Sequence, residues 1–121
     1  MSASRNITIG KAGEDLACRY IEELGYKVIN RNWHFSKNSE IDIIAKDKNT
    51  LVFIEVKTRT SQNFGHPLEA ITKNKLEKIF TAVLAYINQC KIDYKSYRID
   101  AISIIGLSSP KIEHIKNISL N

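Results

Sequence analysis

The sequence predicts an α/β domain in which a mixed central sheet is flanked by helices. Helical patterns occupy residues 9–24 and 72–90, and two apolar strand patterns lie between them at 40–45 and 50–57. Only a short polar turn separates these two strands, so they are expected to form an antiparallel hairpin. A further strand pattern, residues 97–105, follows the second helix. Elements in this order are typical of a sheet covered by helices.

The composition is that of one globular domain, expected to span residues 1–121 with its core at about 9–105. The chain is 43% hydrophobic and 26% charged and has no linker or repeat. No apolar run approaches the ~20 residues of a membrane span, and no signal peptide is evident, so no membrane partner is expected. Cys18 and Cys90 lie far apart in helical patterns. They are expected to be reduced thiols, which suits a cytoplasmic protein and argues against a zinc site.

The first helical pattern contains one carboxylate in an unusual place. Glu14 lies along the edge of the apolar stripe, where a solvating charge is not normally placed. The simplest explanation is complementation of the helix dipole, because a helix that begins near Ile9 would carry Glu14 in its first turns. Gly25 is expected to end this helix.

The segment between the first helix and the hairpin is predicted to be mostly irregular. Residues 26–30 are predicted to form a short strand, and residues 31–39 a polar loop. Trp33 and Phe35 are expected to anchor that loop to the core, although stacking on unpaired bases is an alternative. The end of the chain is predicted to hold a loop at 106–110 and an edge strand at 112–118.

The hairpin brings three charged side chains together. Alternate residues of a strand share a face, so Glu55 and Lys57 point the same way. If the turn is centred between Lys48 and Asn49, Asp42 lies opposite Glu55. Cross-strand partners are ~4.5–5.5 Å apart at Cβ, so these two carboxylates require a compensating charge.

Two explanations of this acidic pair remain open. Both strands are almost continuously apolar, which indicates burial on both faces and makes their charges costly without partners. One explanation is a divalent cation between Asp42 and Glu55, with the carbonyl of Val56 nearby; Mg²⁺ prefers such oxygen ligands. With Lys57 beside it, that site fits metal-assisted phosphodiester hydrolysis. The other explanation is a structural salt bridge from Lys57 to either carboxylate.

Asp42 followed by Glu55-Val56-Lys57 resembles the core of the PD-(D/E)XK nuclease superfamily, which includes restriction enzymes and Holliday-junction resolvases. Over residues 9–105 the chain is similar to the bacterial YraN family, described as endonuclease-like and largely uncharacterised. The matching blocks occur in order: Gly10-x-x-Gly13-Glu14, Ala17, Gly25-Tyr26, Asn30-Arg31-Asn32, Glu40 to Ala45, Val52 to Arg59, Phe64-Gly65, Lys75 and Arg98-Ile99-Asp100. One departure is Ser39, where the family usually has glycine; a local backbone adjustment is expected there.

The resemblance implies a restriction-endonuclease-like α/β/α fold and assigns roles by position. It implies Asp42 and Glu55 as metal ligands, Lys57 as the catalytic lysine and Glu14 as the acidic residue that resolvase-like members add. The implied ion is Mg²⁺, with Mn²⁺ as an alternative. Resolvase-like relatives are dimers, so a C2 homodimer is also implied.

The charge balance is compatible with a polyanion partner, although on charge alone a basic surface that binds no polyanion is an equal alternative. Eighteen Lys and Arg against thirteen Asp and Glu give a net charge of +5. Six basic residues are candidates for contacts to DNA phosphates: Arg31, Lys37, Arg59, Lys73, Lys75 and Lys78. The leading hypothesis is a Mg²⁺-dependent DNA endonuclease that acts on branched or structured DNA. The alternatives are a non-catalytic DNA-binding or adaptor module on the same fold, and a purely structural ion-pair network.

Overall fold

The computed structural model describes residues 2–61 and 66–118, with side chains for residues 9–61, 66 and 68–118. Two of the motif residues, Phe64 and Gly65, lie outside the described part. The described elements are α1 (Ser2–Glu23), β1 (Lys27–Ser36), β2 (Ser39–Asp47), β3 (Thr50–Arg59), α2 (Lys73–Gln89), β4 (Ser96–Ile105) and β5 (Lys111–Ile115). A single 3-10 turn, Pro67–Ala70, precedes α2. None of the described helices has the length and apolar character needed to cross a membrane.

The strands form one mixed five-stranded sheet in the order β1-β2-β3-β4-β5. Neighbouring strands are antiparallel except β3 and β4, which are parallel because α2 carries the chain back before β4 begins. The sequence prediction of a mixed sheet with two helices is therefore confirmed. The architecture is compatible with a restriction-endonuclease-like core.

The two helices pack on separate apolar clusters of the sheet. Ala17 and Ile21 of α1 pack with one cluster, which includes Ile54 and Val56 of β3. Helix α2 packs with the other cluster, which includes Phe53 of β3. Because alternate residues of β3 enter different clusters, the strand is covered on both faces, as its continuous apolar sequence indicates. A charge on β3 is consequently removed from water.

The hairpin between β2 and β3 has the predicted register over most of its length. Asp47 pairs with Thr50 and Ile43 with Ile54, on either side of a two-residue turn in which Lys48 has a φ of 56°. The paired ladder ends at Ile43 and Ile54, although both strands continue beyond it. The next position on each strand is an acidic residue.

The structure corrects the predicted start of α1. The helix begins at Ser2, seven residues before the predicted start at Ile9. Glu14 therefore lies in the middle of α1 and not in its first turns. Helix-dipole complementation, which acts within the first turn, does not explain its position. The predicted end is confirmed, since Gly25 adopts a φ of 97° just after the helix.

The predicted loop 31–39 is also wrong over most of its length, because β1 extends through Ser36. This edge strand pairs with β2 and contains two register shifts, so its residues do not alternate between polar and apolar. Of the two aromatic residues that were expected to anchor this segment to the core, Trp33 does so. Its ring packs edge-on against that of Tyr86 of α2, with 5.2 Å between the ring centroids. Phe35 is 47% exposed and is not an anchor. Ser39 opens β2 and is buried, beside a register shift in β1.

Arg98 and Asp100 of β4 form an ion pair that belongs to a larger buried network. Asp100 is fully buried and accepts hydrogen bonds from Arg98 Nε at 3.0 Å and from the backbone N–H of Asn117 at 2.9 Å. His114 of β5 contacts the second oxygen of Asp100 at 2.8 Å and the hydroxyl of Tyr20 of α1 at 3.1 Å. This network joins α1, β4, β5 and the segment after β5.

Candidate active site

A polar cleft of about 520 Å³ opens where β2 and β3 separate. Its walls come from four elements, α1, β2, β3 and the first turn of α2. Four carboxylates line it, and we call these the cleft carboxylates: Glu14, Glu40, Asp42 and Glu55. Three basic side chains also line it, and we call these the cleft cations: Lys57, Arg59 and Lys75. The cleft therefore gathers every predicted metal ligand and the predicted catalytic lysine.

Asp42 is held at the point where the hairpin ladder ends. Its Oδ2 accepts a hydrogen bond of 2.8 Å from the backbone N–H of Val56, in place of a backbone carbonyl of β2. Burial raises the pKa of Asp42 to about 8, and the neighbouring charge of Glu55 adds to this effect. Two adjacent carboxylates removed from water cannot both ionise easily, so without a cation Asp42 favours its protonated form near neutral pH.

Glu55 is the most buried of the cleft carboxylates, with only 4% of its side chain exposed. Its Oε2 lies 3.3 Å from Nζ of Lys57 on the same strand. The same oxygen lies 3.6 Å from Nζ of Lys75, which comes from α2. A buried carboxylate is thus paired with two ammonium groups from different elements.

Glu14 reaches the cleft because α1 approaches β3 closely. A Cβ on Gly13 would lie 1.9 Å from Oγ1 of Thr58, so only glycine permits this approach. Burial raises the pKa of Glu14, while hydrogen bonds from Asn32 and Arg31 oppose the shift. Arg31 lies 3.5 Å from Glu14, and it makes a closer contact of 2.9 Å with Asp15.

The donor atoms of the cleft suit a hard divalent cation. Asp42 and Glu55 supply carboxylate oxygens, and Val56 also lines the cleft. Within residues 2–61 and 66–118, no three His, Cys, Asp or Glu side chains converge closely enough to hold a metal ion. Mg²⁺ does not require such a group, because it commonly binds one or two carboxylates and keeps several waters.

The six basic residues predicted to contact phosphates fall into three groups. Lys75 and Arg59 line the cleft itself. Arg31 borders it but is engaged with two carboxylates of α1. Lys37, in the turn between β1 and β2, and Lys73 and Lys78 on α2 are exposed and do not line the cleft. The structure therefore separates cations at the cleft from cations on the surrounding surface.

Sequence reasoning did not assign a role to three polar residues that line the cleft. Glu40 lies two positions before Asp42 on β2, and its strand spacing alone could have indicated that it shares the face of the ligands. Thr58 and Thr60 follow Lys57 at the end of β3. Nothing in their sequence context distinguishes them from surface threonines.

Comparison with known proteins shows which family the chain belongs to. The model of the family described as "Uncharacterised protein family UPF0102" matches residues 13–104, which include Glu14, the hairpin and the Arg98–Asp100 pair. The chain belongs to UPF0102, the YraN family. The resemblance inferred from the short sequence blocks is thereby confirmed.

Relatives of similar length occur in distant bacteria. A UPF0102 protein of Sulfurihydrogenibium sp. is 44% identical over 108 residues, covering 89% of this chain and 90% of that protein. A UPF0102 protein of Geobacter sulfurreducens is 43% identical over 114 residues, covering 93% and 88%. A third, of Chlorobium phaeobacteroides, is 42% identical over 116 residues, covering 90% and 91%. These UPF0102 relatives match this chain along most of their length, and their names state no activity.

Proposed function

We propose that this UPF0102 protein is a metal-dependent DNA endonuclease that hydrolyses phosphodiester bonds. The observation that carries the proposal is the pair of carboxylates, the partly buried Asp42 and the buried Glu55, beside Lys57 in an open cleft. A structural ion pair alone accounts for this arrangement poorly, because Asp42 contacts no cation among the described residues and its pKa is raised to about 8. A divalent cation bound between Asp42 and Glu55 would stabilise the ionised form of both carboxylates.

In this proposal Asp42 and Glu55, with the carbonyl of Val56, hold Mg²⁺ or Mn²⁺, and Glu14 of α1, which lines the same cleft, acts through a water bound to the ion. The bound ion supplies a water of lowered pKa and neutralises charge on the phosphate. The hydrogen bond from Val56 to Oδ2 of Asp42 fixes the orientation of that carboxylate and leaves Oδ1 for other contacts.

Lys57 has the position expected of the catalytic lysine. Its Nζ contacts Glu55, and 24% of its side chain is exposed to the cleft, so a bound phosphate is within its reach. There it stabilises negative charge that develops on the attacking water and on the phosphate oxygens. The burial of its partner makes this interaction stronger than it would be in bulk water.

DNA is the substrate class that the charges favour. The net charge of +5 and the exposed lysines of α2 provide a surface for phosphates outside the cleft. Arg59 lines the cleft, and its buried Nε has no hydrogen-bond partner among the described residues. We favour branched or structured DNA, following the resolvase-like resemblance.

Cleavage of a panel of DNA molecules tests the proposal. The purified protein is incubated with duplex, single-stranded and four-way-junction DNA in the presence of Mg²⁺, Mn²⁺ or EDTA. We expect cleavage that requires the metal and is abolished in Asp42→Asn, which keeps an acceptor for the N–H of Val56. Circular dichroism of the variant confirms that loss of cleavage is not loss of fold.

Two other results would redirect the assignment. Salt-sensitive DNA binding without cleavage of any substrate would favour the non-catalytic adaptor. Absence of both metal and DNA binding, together with unfolding of Asp42→Ala, would favour the purely structural network.

The proposed activity carries expectations about location and assembly. Cytoplasmic DNA is the natural substrate, and the free thiols of Cys18 and Cys90 suit that reducing compartment. Paired cuts in a symmetric junction require two sites, so we propose a C2 homodimer on such DNA. Analytical ultracentrifugation with and without junction DNA tests the assembly.

A further inference from the structure

Two lysines converge on one oxygen of Glu55, and the proposed reaction uses only one of them. Lys57 and Lys75 both contact Oε2 of Glu55, at 3.3 Å and 3.6 Å. For each lysine, Glu55 is its only acidic partner within the described part of the chain. One carboxylate neutralises one ammonium group, so Glu55 by itself does not balance both lysines.

The position of Lys75 on α2 is unfavourable unless an anion approaches it. The first turn of α2 contains Lys73 and Lys75 and no acidic residue. Cations near a helix N-terminus oppose the helix dipole, at a cost of about 0.3–1 kcal/mol each. The backbone N–H of Lys75 donates to Oγ1 of Thr72 at 3.1 Å, so the cap fixes the turn that carries this lysine.

The charge of the whole cleft indicates which anion this is. Ionised in full, the four cleft carboxylates exceed the three cleft cations by one negative charge; Arg31 is not counted, because it lies outside the cleft lining and its closer partner is Asp15, at 2.9 Å. One divalent cation would change this balance to one net positive charge. A single phosphodiester group, which carries one negative charge, would then neutralise the cleft. If Lys75 were absent, the four carboxylates, the two remaining cleft cations and the divalent ion would already sum to zero charge before any phosphate was bound.

We propose that Lys75 is a second catalytic lysine, which pairs with Glu55 in the free protein and contacts the scissile phosphate in the metal-bound complex. This inference rests on the proposed nuclease function. When Glu55 serves as a metal ligand, its charge is shared with the cation, and Lys75 is left to a phosphate oxygen. Lys75 thus acts on the reacting group, whereas Lys73 and Lys78 contact flanking phosphates.

The first test measures metal binding without DNA. Lys75→Met keeps most of the aliphatic stem and removes the charge, and Lys91→Ala, in the exposed segment after α2, is the matched control. Isothermal titration with Mn²⁺ should show tighter binding by Lys75→Met, by about 3- to 10-fold, because a competing cation has left Glu55. Lys91→Ala should match the wild type. Weaker or unchanged binding by Lys75→Met would overturn the pairing with Glu55.

The second test measures cleavage at saturating DNA. Lys75→Met should lower kcat by about 10²-fold with little change in KM, as expected when a charge on the transition state is lost. Lys75→Arg should recover part of the rate. Lys78→Ala should instead raise KM without changing the affinity for Mn²⁺. A change in KM alone for Lys75→Met would reduce Lys75 to an ordinary phosphate contact and overturn the proposal.

A third readout separates failure of this inference from failure of the nuclease proposal. If the wild type binds metal and does not cut any DNA, the nuclease proposal fails. The role of Lys75 is then decided by binding of a short oligonucleotide with and without Ca²⁺. Loss of the Ca²⁺-dependent gain in affinity in Lys75→Met supports contact with a metal-associated phosphate, and an undiminished gain refutes it.

Discussion

The backbone N–H of Val56 donates a hydrogen bond to Oδ2 of Asp42 across 2.8 Å, just past the last paired position of the β2–β3 hairpin. A side chain thus takes over the role of a strand carbonyl. The strands separate without leaving that N–H unsatisfied, which would cost about 1–3 kcal/mol. This one hydrogen bond therefore both allows the cleft to open between the strands and fixes the orientation of Asp42.

We predict that Asp42→Asn stabilises the metal-free protein at alkaline pH. The folded pKa of Asp42 is raised to about 8 from an ordinary value near 3.8. Its favourable contribution is therefore complete below pH 3.8 and is lost as pH rises through about 8. The asparagine cannot ionise, so the variant should exceed the wild type by about 1–3 kcal/mol at pH 9. Urea unfolding in EDTA at pH 6 and pH 9 measures the difference.

Asp42→Ala provides the matched comparison. It removes the charge as asparagine does, but it also removes the acceptor for Val56. Its stability should lie below that of Asp42→Asn by about 1–3 kcal/mol at both pH values. Equal stability of the two variants would show that the hydrogen bond does not hold the strands at this point.

We predict that Gly13→Ala destabilises the protein and disturbs the cleft. The added Cβ would lie 1.9 Å from Oγ1 of Thr58, so α1 or β3 must move. Overpacking of this kind costs about 1–3 kcal/mol. Gly10→Ala on the same helix is the control, because its Cβ meets nothing within 4 Å and alanine favours the helix by up to about 1 kcal/mol. Thermal unfolding of both variants should move in opposite directions.

We predict that the Asp100 network makes the fold sensitive to acid. Burial alone would raise the pKa of Asp100, but the hydrogen bonds from His114, the N–H of Asn117 and Arg98 outweigh it and lower the pKa. Its stabilisation is therefore present above the ordinary value near 3.8 and is lost as pH falls through the lower folded value.

Asp100→Asn should show this linkage directly. The variant should lose about 3 kcal/mol at pH 7, because the half-buried Arg98 loses its closest acidic partner and keeps only the 3.6 Å contact with Asp47. Its unfolding free energy should also depend less on pH below 4 than that of the wild type. Urea unfolding between pH 2.5 and 7 measures both effects, and parallel pH profiles for the two proteins would contradict the assignment.

We predict that substitution of Arg59 affects DNA binding, whereas substitution of Arg31 affects the stability of the fold. Arg59 has no ion pair within residues 2–61 and 66–118, so Arg59→Ala should leave stability within about 0.5 kcal/mol and weaken DNA binding. The slope of log affinity against log salt should fall by about 0.9 if one phosphate contact is lost. Arg31→Ala should instead lower stability, since Glu14 loses its ion pair and Asp15 keeps only its contact with Lys11. Fluorescence anisotropy and urea unfolding separate these effects.

The parts of the site that sequence alone predicted depend on short-range geometry. The two-residue turn at Lys48 and Asn49 determines which residues of β2 and β3 face each other, so the proximity of Asp42 and Glu55 followed from counting. The apolar neighbours of both residues also predicted their burial. These features require no knowledge of how distant segments pack.

The parts that sequence missed depend on tertiary contacts. Strand β1 continues through Ser36 because β2 supplies its hydrogen-bond partners, and its own polar residues do not reveal this. The contact of Lys75 with Glu55 requires α2 to return across the sheet, and the position of Glu14 requires α1 to pack closely at Gly13. No local pattern specifies either approach.

The parallel pairing of β3 with β4 has a consequence for folding kinetics. Thr50 of β3 pairs with Ser96 of β4, 46 residues away, whereas β1, β2 and β3 pair through short connections. Closing the long loop costs more entropy, so the three-stranded meander is expected to form first and β4 to join later. Asp42, Glu55 and Lys57 all belong to the meander. The carboxylates of Asp42 and Glu55 are therefore expected to come together when the β1–β3 meander forms. Lys75 is expected to reach them later, when α2 and β4 pack on the meander.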